Sequence, residues 1–264
     1  MNHKRLGHIL ASILTPMAAL MMPHGAVAQN PTDQADAAAD KQFMVGVGVV
    51  QIQSPFKGEG TLVYPAPLIS AKFGPAYIEG IEAGLKFQPI PGPISPFASA
   101  FVAGRMQTGR DRRDFTVDAG VRVSIGGKFG ELTGEYRRDI SGEFKGGEFQ
   151  IRYAYPISMG DFTLTPSAQV NWLDKETANH MYGVTAAQRA RAITKQRKVI
   201  LPVAPILEKA RNIGGVLTGT YSVGGGVTLI GVLNSTYLDK PIRNSAAIDK
   251  KWESSAILGV TYSF

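Results

Sequence analysis

Residues Phe162–Trp172 read FTLTPSAQVNW, and the order of these eleven side chains decides the fold. Phe162, Leu164, Pro166, Ala168, Val170 and Trp172 alternate with Thr163, Thr165, Ser167, Gln169 and Asn171. Successive side chains on a strand point to opposite faces, so this segment has one apolar and one polar face. A helix would space its apolar positions at about 3.6 residues, and the segment does not.

The same alternation recurs on both sides of it. Phe115, Val117, Ala119, Val121, Val123 and Ile125 oppose Thr116, Asp118, Gly120, Arg122, Ser124 and Gly126. Phe149, Ile151, Tyr153 and Tyr155 oppose Glu148, Gln150, Arg152 and Ala154. Nearer the start, Phe43, Val45, Val47 and Val49 share a face, with Gly46 and Gly48 on the other. Two architectures have this pattern. In a soluble β-sandwich the apolar face is the core; in a membrane barrel it meets lipid and the polar face lines the lumen. Three features favour the barrel. The chain carries an export leader. Its alternating runs reach the roughly 10 residues a tilted membrane strand needs. Its polar faces carry charges of both signs at mid-strand. The expected fold is all-β, an antiparallel up-and-down transmembrane β-barrel.

The leader is residues 1–28. Lys4 and Arg5 precede an apolar stretch from Ile9 to Met22, and Ala26-Val27-Ala28 is a small-residue cleavage site before Gln29. Its removal takes away His3, His8 and His24 and leaves His180 as the single histidine. Residues 29–40 are polar and Ala-rich and read as a loose periplasmic arm, followed by the barrel over 41–264.

Alternating spans lie at 42–52, 61–73, 76–88, 94–106, 115–126, 129–140, 147–157, 161–173, 212–223, 226–238 and 252–264. Short turns at Gly126–Gly130, Ser158–Asp161 and Gly224–Gly226 suit the periplasmic side; the long links 107–114, 174–211 and 239–251 suit the outside. The spans are odd in number, whereas a bacterial single-chain barrel is normally even, so one strand is hidden in the region before residue 94. Residues 199–208 could also pair as an outer hairpin arm. About twelve strands are expected, with ten as the alternative. Pro65, Pro67, Pro89, Pro91, Pro93 and Pro96 make the N-terminal third irregular, because proline cannot donate to a ladder.

The charged positions form a pattern of their own. Asp118 and Arg122 lie on one polar face, Glu131, Glu135, Arg137 and Asp139 on the next, and Glu148 and Arg152 on a third. A turn near Gly126-Gly127-Lys128 sets Arg122 opposite the Glu131–Glu135 region and Asp118 near Arg137. Opposite charges on neighbouring strands stabilise by roughly 0.2–1 kcal/mol per pair. A lumen ladder that satisfies its own charges fits the balanced signs; an ion or substrate path is the functional alternative.

The chain ends on Ala256, Leu258, Val260, Tyr262 and Phe264, all on one face. A terminal Phe264 after Val260 and Tyr262 resembles the signal read by the barrel-assembly machinery of bacterial outer membranes. The long link contains TAAQRAR, Thr185–Arg191, which reads as a short helix with Thr185 as cap and Gln188 completing a capping box. Arg189, Arg191, Lys195, Arg197 and Lys198 make it basic. Facing outward, these cations meet lipopolysaccharide phosphates and carboxylates; a solvated charged loop is the plain alternative. The expected surroundings are thus outer-membrane lipid and lipopolysaccharide. An exported barrel excludes nucleic acid as a partner, despite the net charge of +7.

Several segments together carry a family resemblance. They are Pro67-Leu68-Ile69 before Phe73-Gly74, Asp139-Ile140-Ser141-Gly142, HMYGVTAAQ at His180–Gln188 after Asn171-Trp172, Asp239-Lys240-Pro241-Ile242, and Gly259–Phe264. In this order and spacing the chain resembles the MltA-interacting protein family, also called the OmpV family. The resemblance implies an outer-membrane scaffold that holds a murein-degrading lytic transglycosylase beside a murein synthase. Some family members are instead discussed as porins or adhesins, so a small-solute porin or a surface antigen or adhesin remains the alternative. Residues 54–60 and the basic run after Gln188 depart from the family pattern.

Enzyme chemistry has little to stand on. The absence of cysteine excludes a thiol nucleophile, a Cys-ligated metal and disulfides. Only His180 could serve as a general base, and its place beside Tyr182-Gly183 suits a structural role. No serine motif, phosphate-binding glycine loop or metal-ligand cluster is present, and Gly46-x-Gly48 and Gly224-Gly225-Gly226 read as strand and turn glycines. The expectation is a non-enzyme with no catalytic residue, no metal ligand and no cofactor.

Overall fold

The computed structural model describes residues 41–88, 94–105 and 115–264. The leader 1–28, the arm 29–40, the prolines Pro89, Pro91 and Pro93 and the link 107–114 lie outside the described residues. The strands are β1 (Lys41–Gln53), β2 (Thr61–Phe73), β3 (Ala76–Glu79), β4 (Glu82–Phe87), β5 (Ile94–Arg105), β6 (Thr116–Gly127), β7 (Gly130–Asp139), β8 (Gly147–Ala154), β9 (Ile157–Met159), β10 (Phe162–Leu173), β11 (Ala210–Gly224), β12 (Val227–Tyr237) and β13 (Trp252–Ser263). Neighbours pair antiparallel, and β1 closes on β13 while β10 pairs with β11. β8 and β9 both lie along β10, interrupted at Tyr155-Pro156 where proline has no N–H to give. They form one wall position, so the closed barrel has twelve strands and one extra, and the ten-strand alternative falls away.

The hidden strand lies where strand parity placed it. The span 76–88 is a hairpin, β3 and β4, reversed at Gly80-Ile81 with Glu79 opposite Glu82. Gly80 takes φ +57, a region open to glycine without strain. A two-residue reversal shifts the parity of the inward positions, from Tyr77 and Glu79 on β3 to Glu82 and Gly84 on β4, so the span cannot be one continuous alternating strand. This hairpin is short. β2 pairs with β3 only over Ser70–Phe73, and among the described residues no strand pairs with 61–69 on that side. The Gly80 N–H donates to the Ile69 carbonyl, so odd-numbered residues of β2 turn their backbone groups to the open edge. Pro65 and Pro67 therefore put their missing donors where no strand would use them. Residues 199–208 form no strand, correcting the outer-arm expectation.

The barrel is apolar outside and carries its buried charges inside, the reverse of a soluble sandwich. Val47 is 68 % exposed and Leu258 72 %, while Asp118 is fully buried and Arg122 only 3 % exposed. Aromatic residues mark both rims of this apolar belt. Phe43, Phe73, Phe87, Tyr221 and Tyr262 lie near the short-turn end, and Phe115, Phe149, Trp172 and Trp252 near the long-loop end. Two aromatic girdles around an aliphatic band are what a membrane-spanning barrel presents to lipid.

Candidate functional site

The lumen has two unlike walls. On the β1, β2, β12 and β13 side, Val50, Ile52, Ala66, Leu68, Val232 and Ile257 pack together with Val216 of β11. Leu68 lies over Gly259, where an added Cβ would sit 2.5 Å from it. On the β4–β8 side the lumen is ionic. Arg122 of β6 reaches across β5 to make two bonds to Glu82 of β4, at 3.0 and 3.1 Å, and its Nε donates to Glu135 of β7 at 2.6 Å. Its guanidinium also lies 4.6 Å from the Phe101 ring. Tyr77 donates to Glu82 at 2.7 Å. Arg137 donates to Glu135, and Arg152 stands 4.0 Å from Glu131.

The register places Arg122 opposite Glu135, as the turn at Gly126-Gly127 requires. Asp118 is held differently from the expectation. Its register partner is Asp139, and its hydrogen bond comes from Arg105 Nε at 2.7 Å rather than from Arg137. Arg105 also donates to Glu148 at 3.0 Å, which in turn accepts from Asn171. Asp139 leaves the ladder altogether. It accepts from the backbone N–H groups of Ser141, Phe144 and Lys145 and so shapes the β7–β8 turn. Sequence reasoning missed Glu82, Arg105 and Tyr77. Each occupies an inward position of its strand, but the hidden hairpin concealed the parity of the first and third.

Side chains fill the middle of the barrel on every wall. Glu135, Arg137, Thr165, Thr218, Val50 and Ile257 are all buried. Over the long-loop end lies a cap with its own core. Helices α1 (Lys175–Tyr182), α2 (Ala186–Thr194) and α3 (Lys240–Arg243) belong to it. Phe56, Ala178, Tyr182, Leu201, Leu238 and Ile242 pack across the mouth, joining loops from three hairpins. Asp174 caps α1 by accepting from the Thr177 N–H at 2.8 Å. The Tyr182 hydroxyl, at the end of α1, donates to Glu253 of β13 at 3.1 Å. Burial, reinforced by Glu253, pushes the Tyr182 phenol well above its ordinary value. Arg105 ties the cap to the ladder through Met181 Sδ at 3.6 Å, and His180 stacks on Phe144 at 4.1 Å.

α2 has the Thr185–Gln188 capping box expected from the sequence and runs on to Thr194. It buries none of its side chains. Arg189, Arg191, Lys195 and Lys198 are exposed, with Arg197 half-buried, so this run points away from the ladder. Val199 comes against Gly58 of the β1–β2 loop, which carries the basic run across the mouth. Val260, Tyr262 and Phe264 lie on the lipid-facing side of the seam, and the Phe264 N–H donates to the Phe43 carbonyl.

Residues 45–264 match the family of MltA-interacting protein MipA. The chain belongs to the MltA-interacting protein family. It is 24 % identical over 238 residues to the MltA-interacting protein of Escherichia coli K12, covering 86 % of this chain and 92 % of that one. It is 22 % identical over 240 residues to YiaT of the same organism, named as a candidate outer membrane protein, covering 86 % and 93 %. Among solved structures it is similar to the anion-selective porin of Comamonas acidovorans, at 7 % identity and a TM-score of 0.43, covering 85 % of this chain and 98 % of that one. It is also similar to OmpT of Vibrio cholerae, at 6 % identity and a TM-score of 0.44, covering 85 % and 97 %. The segments that carry the family resemblance do structural work here. Asp139 builds a turn, His180–Gln188 ends α1 and caps α2, and Asp239 caps α3 while Ile242 enters the cap core. The protein is thus an outer-membrane β-barrel of the MltA-interacting protein family.

Proposed function

We propose that this barrel is a closed scaffold that holds a lytic transglycosylase and a murein synthase together at the inner face of the outer membrane. The observation that carries the reading is an ion-paired lumen with an apolar cap above it whose Leu238 and Ile242 are fully buried. Conduction needs a continuous wet route whose binding groups let solutes leave again. Here the mid-lumen cations and carboxylates are already bound to one another, and passage would have to break these pairs and leave buried charges uncompensated. The name of the Escherichia coli relative supports the first of the two partners. With the long loops outward, the surface left to periplasmic enzymes is the set of short turns and the N-terminal arm.

The test is planar-bilayer recording of the refolded protein, with its heat-modifiable gel shift as the folding control. A folded, silent barrel that captures both murein enzymes, and loses them when the arm and turns are replaced, agrees with the proposal. Stable solute-dependent openings would refute it in favour of the small-solute porin. Equal capture without arm and turns would refute the placement of the contacts.

A further inference from the structure

The outer wall carries a groove of about 500 Å³ where β10–β13 and β1 run through the loop-side half of the belt. Gly215, Ser235, Ser254 and Gln53 share one register row; Leu217, Leu233, Ala256 and Gln51 form the next row down. Both rows point away from the lumen, because the intervening Val216, Val232, Ile257 and Ile52 pack inside it. Small side chains leave the depression, whereas β6 and β8 present Val121, Val123, Phe149 and Ile151 to lipid. Among the described residues the Gln51 and Gln53 amides have no hydrogen-bond partner, a costly state for polar groups beside hydrocarbon.

The head of the groove is aromatic and cationic. Tyr237 and Trp252 pack with ring centroids 4.8 Å apart and line an adjoining hollow that shares Gly215 with the groove. The Arg243 guanidinium stands 4.5 Å from the Tyr237 ring, held by one bond from Nε to the Leu238 carbonyl at 2.8 Å. Its remaining N–H donors have no partner among the described residues. Lys251 directly precedes Trp252, with Lys250 before it. Lys57 is brought alongside by backbone bonds from Lys57 to Ala247 and from Asp249 to Pro55, both at 2.9 Å. Asp249 and Glu59 are carboxylates of the same loops; Glu59 accepts from Ser54 at 2.6 Å, and Asp239 is used as the α3 cap.

We propose that this groove binds a phosphorylated glycolipid of the lipid A class. One acyl chain lies over Gly215, Ser235 and Ser254. A phosphate sits at Arg243 and the neighbouring lysines, where charge-assisted bonds are strongest. The glycolipid's amide and hydroxyl groups meet Gln51 and Gln53, whose side chains both donate and accept. The placement rests on the long-loop end facing outward, where the leaflet carries such phosphates. A second copy of the chain on the same groove would bring Arg243 and Lys251 of both copies together and repel.

The two tryptophans make the test direct. A Trp172→Phe protein, refolded at full length in detergent, reports from Trp252 alone. Titration with bisphosphorylated lipid A should give a saturable fluorescence change. The dephosphorylated form and phosphatidylglycerol should each bind at least about tenfold more weakly. Arg243→Gln should weaken only the phosphorylated form, by about tenfold. Ser235→Leu with Ser254→Leu should abolish binding of every form while the gel shift is kept; these sites face lipid, and Arg243→Gln in the loop is read independently of them. Equal binding of phosphatidylglycerol and lipid A, or binding unchanged by filling the groove, would overturn the proposal. So would sedimentation as a dimer that Ser235→Leu dissociates, which would assign the groove to a second copy.

Discussion

Removing the Arg122 guanidinium is the sharpest perturbation of the lumen. Arg122→Met keeps much of the side chain's length and its contact with Phe101 but deletes all three bonds to Glu82 and Glu135. Glu82 keeps only Tyr77 among its named partners, and Glu135 keeps Arg137. Two carboxylates, each about 5 % exposed, would then lack their central cation. Deleting one partner of a buried ion pair costs about 3–5 kcal/mol, because the remaining charge is left without compensation. The residual partners put the expectation at the lower end, about 3 kcal/mol. Arg122→Lys should cost less, since it retains the charge but loses the two-pronged bond to Glu82. Urea unfolding of the refolded barrel in lipid, followed by gel shift and tryptophan fluorescence, measures both. A loss under about 0.5 kcal/mol for Arg122→Met, the size of an ordinary surface change, would show that water already reaches these carboxylates. The closed-lumen argument would fail with it.

Three further outcomes are expected. The Tyr182 phenol is held neutral in the folded cap, so cap stability is fully present below about pH 10 and falls as the unfolded phenol ionises above it; in alkaline difference absorbance, Tyr182→Phe should reduce by one the number of tyrosines that titrate only on unfolding. At Gly48 an added Cβ would meet the Leu258 carbonyl at 2.7 Å across the β1–β13 seam; Gly48→Val should therefore prevent closure and abolish the heat-modifiable form, whereas Gly134→Ala, with open space around it, should leave the form intact. Phe264→Ala should lower the assembled fraction in cells while refolding in detergent stays near normal, and equal assembly in cells would remove Phe264 from the recognition signal.

Some errors of the sequence reading share one cause. Alternation reports which side of a strand a residue occupies, but not which strand stands next to it. Glu82 was passed over because the unrecognised Gly80-Ile81 reversal shifts the inward parity from odd on β3 to even on β4. Asp118 was given to Arg137 because Arg105 lies at the far end of a strand joined by a long link. The cap escaped notice for a stronger reason. Its core joins Phe56, Ala178, Leu201 and Ile242, which are scattered through loops without any period. The α2 helix was legible because a capping box is local, whereas α1 has only its Asp174 cap and a short, weakly apolar sequence.

By itself the sequence determined the strands, their two-faced character, the even count with one strand hidden, and the family resemblance. These are local properties, fixed by which side chains alternate and by where glycine and proline break the ladder. Which cation held which carboxylate, and that loops from three hairpins share one apolar core, were decided only by the tertiary structure. The registers of β4, β5 and β6 bring Arg105 to Asp118 and Arg122 to Glu82, and pairing of β1 with β13 brings the β1–β2 and β12–β13 loops to one apolar core.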